Sequence, residues 1–314
     1  MATKRWVVTG GAGFLGSHLC ETLLSRGHEV VAVDSLLTGA LANLSAFEKK
    51  PGFSFLRHDI IEPFDVAGPV DYVLNFASPA SPIDYARLPL ETLRVGSLGT
   101  ENALKLAFEK KARFIQASTS EIYGDPTVHP QPEEYWGNVN TIGPRACYDE
   151  AKRYGEALVT SFRRSLKANT GLVRIFNTYG PRMRLDDGRV VPAFIGQALR
   201  GEDYTVFGDG TQTRSFCYVD DLVRGILLLA ESDYPDPVNL GNPGEFTMLE
   251  FLEIVRRLTG GGGKLTFSPL PKDDPKQRKP DIRRAKAVLG WEPEVHLEEG
   301  LKRTIVWFRT QVKA

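Results

Sequence analysis

Short apolar runs alternate with amphipathic stretches through the first half of the chain. We interpret the apolar runs as buried strands at residues 5–9, 29–34, 53–57, 72–76, 114–118 and 172–176. Residues 16–25 and a long segment around residue 152 have the spacing of amphipathic helices. Strands that alternate with helices are typical of a parallel sheet covered on both faces. The pattern therefore predicts an α/β protein with a doubly wound parallel sheet.

The pattern loosens after residue 177, where Gly and Pro interrupt the chain more often. Helical stretches near residues 190–200 and 249–258 stand alone, and we expect residues 219–229 to return to the main sheet. We predict two parts. The larger part comprises residues 1–178 plus about 216–240, and a smaller mixed C-terminal part comprises about 179–215 plus 241–314.

Composition and charge exclude several classes of partner. The chain has 314 residues, and its 39 Lys and Arg balance 39 Asp and Glu, so neither nucleic acid nor an anionic membrane is expected to bind. Its three widely spaced cysteines predict neither disulfides nor a metal site and are typical of a reducing compartment. No run approaches the roughly 18 apolar residues of a membrane span. The first residues lack the pattern of a signal peptide, so we expect a cytoplasmic protein.

A glycine-rich turn joins the first predicted strand to the first predicted helix. Gly10, Gly13 and Gly16 allow a tight turn and a close approach to a pyrophosphate at the helix N-terminus, although a turn without a ligand would also explain them. Asp34 ends the second strand roughly 20 residues further on, where a carboxylate accepts hydrogen bonds from an adenosine ribose. A carboxylate repels a 2′-phosphate, which favours NAD over NADP. Asp59, at the end of the third strand, either contacts the adenine or caps a turn.

Tyr148 and Lys152 lie four residues apart and share one face of the long predicted helix. The ordinary pKa of a phenol is about 10. A neighbouring ammonium favours the phenolate and is expected to lower that pKa, which makes Tyr148 a candidate general base or acid. The alternative is a half-buried tyrosine beside a solvated lysine.

Together these residues resemble the extended short-chain dehydrogenase/reductase family, whose Rossmann-fold members act on nucleotide sugars with a tightly held NAD. Further segments narrow the resemblance to the UDP-glucuronate decarboxylases, also called UDP-xylose synthases. They are STSEIYGDP (118–126), HPQ (129–131), YWG (135–137), GPRACYDE (143–150), FNTYGPRM (176–183), QTRSF (212–216) and RKPDI (278–282).

The resemblance implies a lyase reaction with no net use of NAD. Carbon 4 of UDP-glucuronate is oxidised, the resulting β-keto acid loses carbon dioxide, and return of the hydride to carbon 4 gives UDP-xylose. It also implies catalytic roles. Tyr148 takes the proton of the 4-hydroxyl, Lys152 tunes Tyr148 and binds the nicotinamide ribose, Thr119 steadies the same oxygen, Ser120 and Glu121 contact the carbon-5 side, and Arg278 engages the sugar carboxylate.

The binding residues follow from the same resemblance. Beside the three glycines, the expected NAD contacts are Phe14, Leu15, Asp34, Leu36, Thr38, Asp59, Ile60, Phe76, Ser78, Thr178 and Arg184. The expected contacts to the UDP-sugar, beyond the catalytic residues, are Arg94, Asn177, Val191, Thr205, Phe207 and Arg214. The resemblance further implies a homodimer joined by two long helices of each subunit, one of them carrying Tyr148.

Two stretches depart from the family pattern. The family usually carries Lys-Thr-Asn where this chain has Arg94-Val95-Gly96, and Asn75 stands where a histidine is common. Gly96 lacks the amide that would help to order active-site water and backbone, and Arg94 replaces a Lys expected near the substrate. We expect these changes together to make the final hydride return less complete, so that some UDP-4-keto-xylose escapes.

Three other functions remain open. A nucleotide-sugar 4,6-dehydratase shares Thr119, Glu121, Tyr148 and Lys152, but its elimination uses an Asp-Glu pair, and Ser120 stands in the first place of that pair. We argue against a 4-epimerase because its reaction does not require residues that hold a sugar carboxylate, which would leave Glu121 and Arg278 unexplained. A non-catalytic NAD-binding regulator is a more remote alternative, since it has no need for the catalytic group as a whole.

Overall fold

The computed structural model describes residues 2–270 and 277–312. Its strands are β1 (Arg5–Thr9), β2 (Glu29–Asp34), β3 (Phe53–Arg57), β4 (Tyr72–Asn75), β5 (Arg113–Thr119), β6 (Thr170–Ile175), β7 (Thr178–Tyr179), β8 (Tyr204–Phe207), β9 (Thr213–Ser215), β10 (Cys217–Tyr218), β11 (Pro237–Leu240), β12 (Glu245–Thr247), β13 (Leu265–Ser268) and β14 (Gln277–Arg278).

The helices cover both faces of the main sheet and part of the smaller region. They are α1 (Phe14–Ser25), α2 (Pro82–Arg87), α3 (Pro89–Arg94), α4 (Thr100–Glu109), α5 (Ala146–Leu166), α6 (Val190–Arg200), α7 (Val219–Glu231), α8 (Met248–Thr259), α9 (Arg283–Leu289) and α10 (Leu297–Val312). A π-helical segment, Val95–Gly99, joins α3 to α4, and short 3-10 helices lie at Leu41–Leu44 and Ser120–Tyr123.

The main sheet has seven parallel strands in the order β11-β6-β5-β4-β1-β2-β3. Successive side chains of a strand point to opposite faces. In β1, Val8 belongs to a core shared with α1 and α7, whereas Val7 belongs to a second core shared with α4 and α5. The predicted doubly wound sheet is therefore confirmed, and the strands predicted from apolar runs agree with the observed ones to within one or two residues at each end.

The prediction for residues 219–229 needs a correction. They return to the main sheet as α7, a helix that packs against β5, β6 and β11, and the strand that extends the sheet beyond β6 is β11. A nearly continuous apolar run does not distinguish a buried helix from a buried strand. β11 has only four residues and begins at Pro237, so its pattern is too short to predict a strand.

The remaining strands form three small sheets, ordered β12-β9-β14, β13-β8 and β10-β7. The first of them joins segments that are far apart in sequence, because Arg278 of β14 pairs in register with Arg214 of β9. Helices α6, α8 and α10 pack on one another beside these sheets. Within residues 2–270 and 277–312, no helix combines the length and the apolar character that crossing a membrane requires.

Candidate active site

A large cleft, with a cavity volume of about 1920 Å³, runs from the glycine-rich turn to the small sheets. It gathers residues that are far apart in sequence. The predicted site residues that line it are Gly10, Gly13, Phe14, Leu15, Gly16, Asp34, Thr38, Asp59, Ile60, Phe76, Ser78, Arg94, Thr119, Ser120, Glu121, Tyr148, Lys152, Asn177, Thr178, Arg184, Val191, Thr205, Phe207, Arg214 and Arg278.

Leu36 is the exception among the predicted site residues. It is absent from the lining of the cleft, between Ser35 and Leu37, which both take part. Its backbone adopts a left-handed conformation with φ of 64°. Its N–H donates to Oδ1 of Asp34 at 2.8 Å. In the structure Leu36 therefore serves the turn that holds Asp34.

The glycine-rich turn has the geometry of a dinucleotide site. A Cβ atom on Gly16 would lie 2.0 Å from the Gly10 carbonyl oxygen, so only glycine allows this approach of helix to turn. Gly10 has φ of 69°, which also favours glycine. Gly13 caps the N-terminus of α1 without a side-chain hydrogen bond, and the first residues of α1 face the cleft. This arrangement suits a pyrophosphate.

Asp34 lies at the end of β2 on the wall of the same cleft. Burial raises the pKa of its carboxyl, while hydrogen bonds from the N–H groups of Leu36 and Ala12 work in the opposite direction. A Cβ atom on Gly39 would lie 2.9 Å from Oδ2 of Asp34, so this glycine leaves the carboxylate room. With the glycine-rich turn, this carboxylate fits the adenosine half of NAD.

Tyr148 and Lys152 occupy adjacent turns of α5, and both are buried. The Lys152 ammonium donates to the Ala117 carbonyl at 3.1 Å and lies 5.6 Å from the centre of the Tyr148 ring. Burial raises the pKa of Tyr148 to about 12 and lowers that of Lys152 to about 8. The predicted downward shift of the phenol pKa is therefore wrong for this structure, because desolvation is the largest influence on the buried hydroxyl.

Other side chains act on the Tyr148 hydroxyl. The hydrogen bond with Thr119 and the charge of Arg189 both lower the pKa of Tyr148, against the effect of burial. Arg189 pairs with Asp187 and lines the cleft. The ring of Tyr85 stacks on Tyr148 with 5.2 Å between the ring centres. The sequence analysis missed Arg189 and Tyr85, since neither stands in a pattern that predicts contact with α5.

A cluster of charges lies at the sugar end of the cleft. One oxygen of Glu121, Oε2, accepts from Arg145 and, at 3.2 Å, from Arg278. Burial works to raise the pKa of Glu121, but the charges of Arg278, Arg145 and Arg214 outweigh it and leave the pKa below its ordinary value. Glu121 is therefore an anion near neutral pH. The sequence analysis quoted Arg145 within a motif without giving it a role.

Asp149 is a second carboxyl group beside this cluster and was also missed. Burial and the charge of Glu121 raise its pKa to about 7, although Arg145 and Arg278 oppose them. Its Oδ1 is buried and has no hydrogen-bond partner within the part of the chain that the structure describes. Asp149 is absent from the residues that line the cleft.

Arg278 is almost fully buried, and the pairing of its strand β14 with β9 helps to place it. Its side chain donates to the Ser120 carbonyl as well as to Glu121. Its own carbonyl accepts from the Ser215 hydroxyl at 3.2 Å. The guanidinium is thus held at the floor of the cleft, where it can face a substrate carboxylate.

Gly96 has a different place from the one we expected. It is absent from the cleft lining and packs against α5, where an added Cβ atom would lie 2.5 Å from the Ala151 Cβ. The loss of the amide there therefore reflects close helix packing rather than a change in active-site water. Asn75 is likewise buried below the cleft, where it accepts from the Thr9 hydroxyl at 2.6 Å and donates to Gln116 at 2.9 Å.

Comparison with known proteins places the chain among nucleotide-sugar enzymes. Residues 6–241 match the family described as "NAD dependent epimerase/dehydratase family". UDP-glucuronic acid decarboxylase 6 of Arabidopsis thaliana is 52% identical over 301 residues, which are 96% of this chain and 87% of that protein. UDP-glucuronic acid decarboxylase 1 of Xenopus tropicalis is 50% identical over 310 residues, 99% of this chain and 73% of that protein.

Solved structures share the fold at lower identity. The UDP-glucuronic acid 4-epimerase of Bacillus cereus, solved with UDP-glucuronic acid and NAD, superposes with a TM-score of 0.87 at 28% identity and covers 98% of this chain and 99% of its own. That enzyme is an epimerase that holds a uronic acid. A site that holds a uronic acid therefore does not by itself exclude an epimerase.

Proposed function

Because the chain belongs to the NAD dependent epimerase/dehydratase family, we propose that it is a UDP-glucuronate decarboxylase that uses bound NAD to form UDP-xylose. The observation that carries this proposal is the buried Arg278, which lines the same cleft as Tyr148 and Lys152. The sequence is 50% and 52% identical to two UDP-glucuronic acid decarboxylases over 99% and 96% of its length, and this similarity supports the proposal.

The nucleotide cofactor occupies the glycine-rich end of the cleft in this proposal. Gly10, Gly13 and the N-terminus of α1 hold the pyrophosphate, Asp34 holds the adenosine ribose, and Lys152 holds the nicotinamide ribose. When bound, NAD supplies the acceptor for the hydride of carbon 4 and later returns it. The remaining NAD contacts are the other residues that were predicted from the sequence and that line the cleft. Leu36 does not line the cleft and is therefore left out.

The protein side chains handle one proton at the 4-oxygen. Tyr148 would accept the hydroxyl proton from its phenolate form, which the positive charges of bound NAD and of Lys152 would favour over the neutral phenol of the unloaded site, and its hydrogen bond with Thr119 directs it at that oxygen. Tyr148 then holds this proton beside the new ketone. A protonated phenol at that position stabilises the enolate oxygen that decarboxylation creates. The same proton returns to the 4-oxygen when the hydride returns.

The charged cluster handles the carboxylate. Arg278 binds the carboxylate of the 4-keto sugar. Ser120 and Glu121 line the space around carbon 5. The bond between carbon 5 and the carboxylate carbon breaks, carbon dioxide leaves, and the bonding electrons pass into the ketone. Arg278 then helps to deliver a proton from water to carbon 5, and return of the hydride and of the Tyr148 proton to carbon 4 and its oxygen would give UDP-xylose. Arg214, Asn177 and Thr205, with Val191, Phe207 and Arg94, hold the UDP and sugar in this proposal.

A homodimer and a cytoplasmic location complete the proposal. The continuous helical run from α3 through α4 packs against α5, and both carry exposed apolar side chains, among them Leu90, Leu98 and Tyr154. These two helices of each subunit form the four-helix contact. The free thiols of Cys20, Cys147 and Cys217 are suited to a reducing compartment. Residues 1–178 plus 216–240 form the NAD-binding part, and residues 179–215 plus 241–314 form the sugar-nucleotide part.

The deciding experiment is a product analysis with UDP-glucuronate labelled with carbon-13 in its carboxyl group. We expect labelled carbon dioxide, UDP-xylose and a smaller amount of UDP-4-keto-xylose in the NMR spectrum. A C4-epimer that keeps its label would identify an epimerase, which the Bacillus cereus structure makes the specific rival. Inert UDP-glucuronate together with turnover of dTDP-glucose would identify a 4,6-dehydratase.

A further inference from the structure

An ion pair and an apolar contact join two segments of the cleft wall that are distant in sequence. The Arg184 guanidinium, in the segment between β7 and α6, donates to Oδ2 of Asp84 in α2 at 2.8 Å. Beside it, Ile83 packs on Gly188 so closely that a Cβ atom added to Gly188 would lie 2.7 Å from the Ile83 side chain. All four residues line the cleft. Together the two contacts form one part of its wall, which we call the Asp84–Arg184 bridge.

The bridge lies between the reaction centre and solvent. On its inner side, Tyr85 follows Asp84 directly and stacks on Tyr148, with 5.2 Å between the ring centres. On its outer side, Ile83 is 51% exposed, and the Arg184 side chain is 33% exposed. A sugar held at Tyr148 is therefore separated from solvent, on this side, by the bridge.

Asp84 is held in place for this contact. Its side chain is buried, and Oδ2 also accepts from the Ser81 hydroxyl at 2.8 Å, while the Asp84 N–H donates to that hydroxyl at 3.1 Å. Arg87 adds a longer contact to Oδ1 at 3.4 Å. A charge-assisted hydrogen bond from a guanidinium is among the stronger polar contacts in proteins. Opening the bridge therefore means separating a buried carboxylate from Arg184.

We propose that the Asp84–Arg184 bridge determines which product leaves the site, because it retains the 4-keto sugar beside Tyr148 until the hydride returns. The inference rests on the proposed function. In that reaction the decarboxylated ketone exists only between the loss of carbon dioxide and the return of the hydride. A wall that slows its exit during this interval favours UDP-xylose over UDP-4-keto-xylose. Asp84 thus gains a role that the sequence analysis did not give it.

Each escape of the ketone has a defined electron balance. UDP-4-keto-xylose is more oxidised than UDP-xylose by one hydride and one proton. When it leaves early, the hydride removed from carbon 4 stays behind on the nicotinamide, and the proton stays on Tyr148. The protein then holds a reduced cofactor and does not oxidise a further UDP-glucuronate. Escape therefore yields free ketone and protein-bound reduced nicotinamide in equal amounts.

A contribution of the bridge to stability alone is the competing explanation. A less stable protein has a smaller folded fraction, which lowers the amounts of both products in the same proportion. A less enclosed site changes their ratio instead. Arg184 is also an expected NAD contact, so substitutions of its partner Asp84 carry the test.

The test is a product analysis of NAD-loaded protein by NMR with uniformly carbon-13-labelled UDP-glucuronate. Asp84→Asn keeps the size of the side chain but removes the charge that holds Arg184. We expect the ratio of UDP-4-keto-xylose to UDP-xylose to rise by about threefold or more, with an equal rise in reduced nicotinamide left on the protein.

Two matched controls remove neighbouring charges and keep the bridge. Arg87→Met removes the other arginine that pairs with Asp84, and Asp186→Asn removes the exposed carboxylate that lies 3.4 Å from Nε of Arg184. Both variants should give the product ratio of the unmodified protein. A higher ratio in these controls, equal to that of Asp84→Asn, would show that charge near the cleft matters and the bridge does not.

Ile83→Ala tests the apolar half of the bridge without changing a charge. We expect it to raise the ratio of ketone to UDP-xylose as well, because it removes the side chain that packs on Gly188. An unchanged ratio in both Asp84→Asn and Ile83→Ala, with carbon dioxide still released, would overturn the inference alone. Absence of carbon dioxide from the unmodified protein would overturn the proposed function and the inference with it.

Discussion

Gln131 and Lys279 are joined by two hydrogen bonds of 2.9 Å each. The main-chain N–H of Gln131 donates to the Lys279 carbonyl, and the N–H of Lys279 donates to the side-chain carbonyl of Gln131. The Gln131 amide nitrogen is itself held by the Val128 carbonyl at 2.8 Å, and the residue is fully buried. Because Arg278 precedes Lys279, these bonds fix the backbone from which the guanidinium extends.

Replacing Gln131 by Met should therefore impair decarboxylation more than oxidation. The substitution leaves the Lys279 N–H buried without its acceptor, at a cost of about 1–3 kcal/mol. We expect the rate of carbon dioxide release to fall by roughly tenfold or more, while reduced nicotinamide still forms and accumulates. Lys279→Met is the matched control, since it keeps the main-chain bonds. Equal slowing of both steps would show that Gln131 acts on folding alone.

Replacing Tyr148 by Phe should abolish hydride transfer. The variant keeps the ring that stacks on Tyr85 but loses the hydroxyl group that, in the proposed function, accepts the proton of the 4-hydroxyl. We expect NAD and UDP-glucuronate to bind while the absorbance of reduced nicotinamide never appears. Tyr154→Phe, exposed on the same helix, should behave like the unmodified protein. A normal absorbance transient in Tyr148→Phe would remove Tyr148 from its proposed role.

Replacing Arg278 by His should block the loss of carbon dioxide without preventing NAD binding. The smaller imidazole does not reproduce the planar pair of donors that a guanidinium offers to a carboxylate. We expect carbon dioxide release to fall by about a hundredfold or more. Arg283→His, an exposed residue of α9, serves as the control. Unchanged turnover in Arg278→His would mean that another group holds the carboxylate.

The buried Asp149 makes stability depend on pH in a defined direction. Its pKa is raised to about 7 by burial first and by Glu121 second, so the folded protein binds this proton more tightly than the unfolded chain. Stability from this group is complete below the ordinary aspartate pKa of about 4 and is lost as pH rises to about 7. The slope is at most about 1.4 kcal/mol per pH unit.

Asp149→Asn should remove that slope. Urea unfolding at a series of pH values should show the free energy of unfolding of the variant rising relative to that of the unmodified protein from about pH 4 to pH 7. Above that range the difference should be constant. Glu109→Gln, an exposed carboxylate of α4, controls for a general change in charge. A difference that is the same at every pH would show that Asp149 does not titrate in this range.

The contact between Gly96 and Ala151 predicts a coupled pair of substitutions. Gly96→Asn forces a Cβ atom against α5 and should destabilise the protein by about 1–3 kcal/mol. Adding Ala151→Gly removes the nearest atom and should recover part of this loss, although a glycine inside a helix costs about 1 kcal/mol by itself. Unfolding of the two single variants and the double variant gives the coupling energy. Simple additivity would mean that the two positions do not meet.

Much of the site was predictable because its parts are local in sequence. The glycine-rich turn, Asp34 and the Tyr148–Lys152 pair each depend on a few neighbouring residues and on the strand or helix that carries them. Arg145, Tyr85 and Gln131 were missed because their roles arise from contacts across the fold, and no periodic pattern signals such contacts. The Tyr148 pKa was predicted in the wrong direction because the spacing of two residues indicates their proximity but not how much water surrounds them.

The order in which the chain supplies its parts has a consequence for synthesis. The nucleotide turn is made before β11, which extends the sheet beyond β6, and before β14, which carries Arg278. A nascent chain can thus contain the nucleotide end of the cleft before it contains Arg278, the guanidinium that binds the sugar carboxylate in the proposed function. In that proposal the carboxylate site is completed after the nucleotide site, when Arg278 pairs beside Arg214.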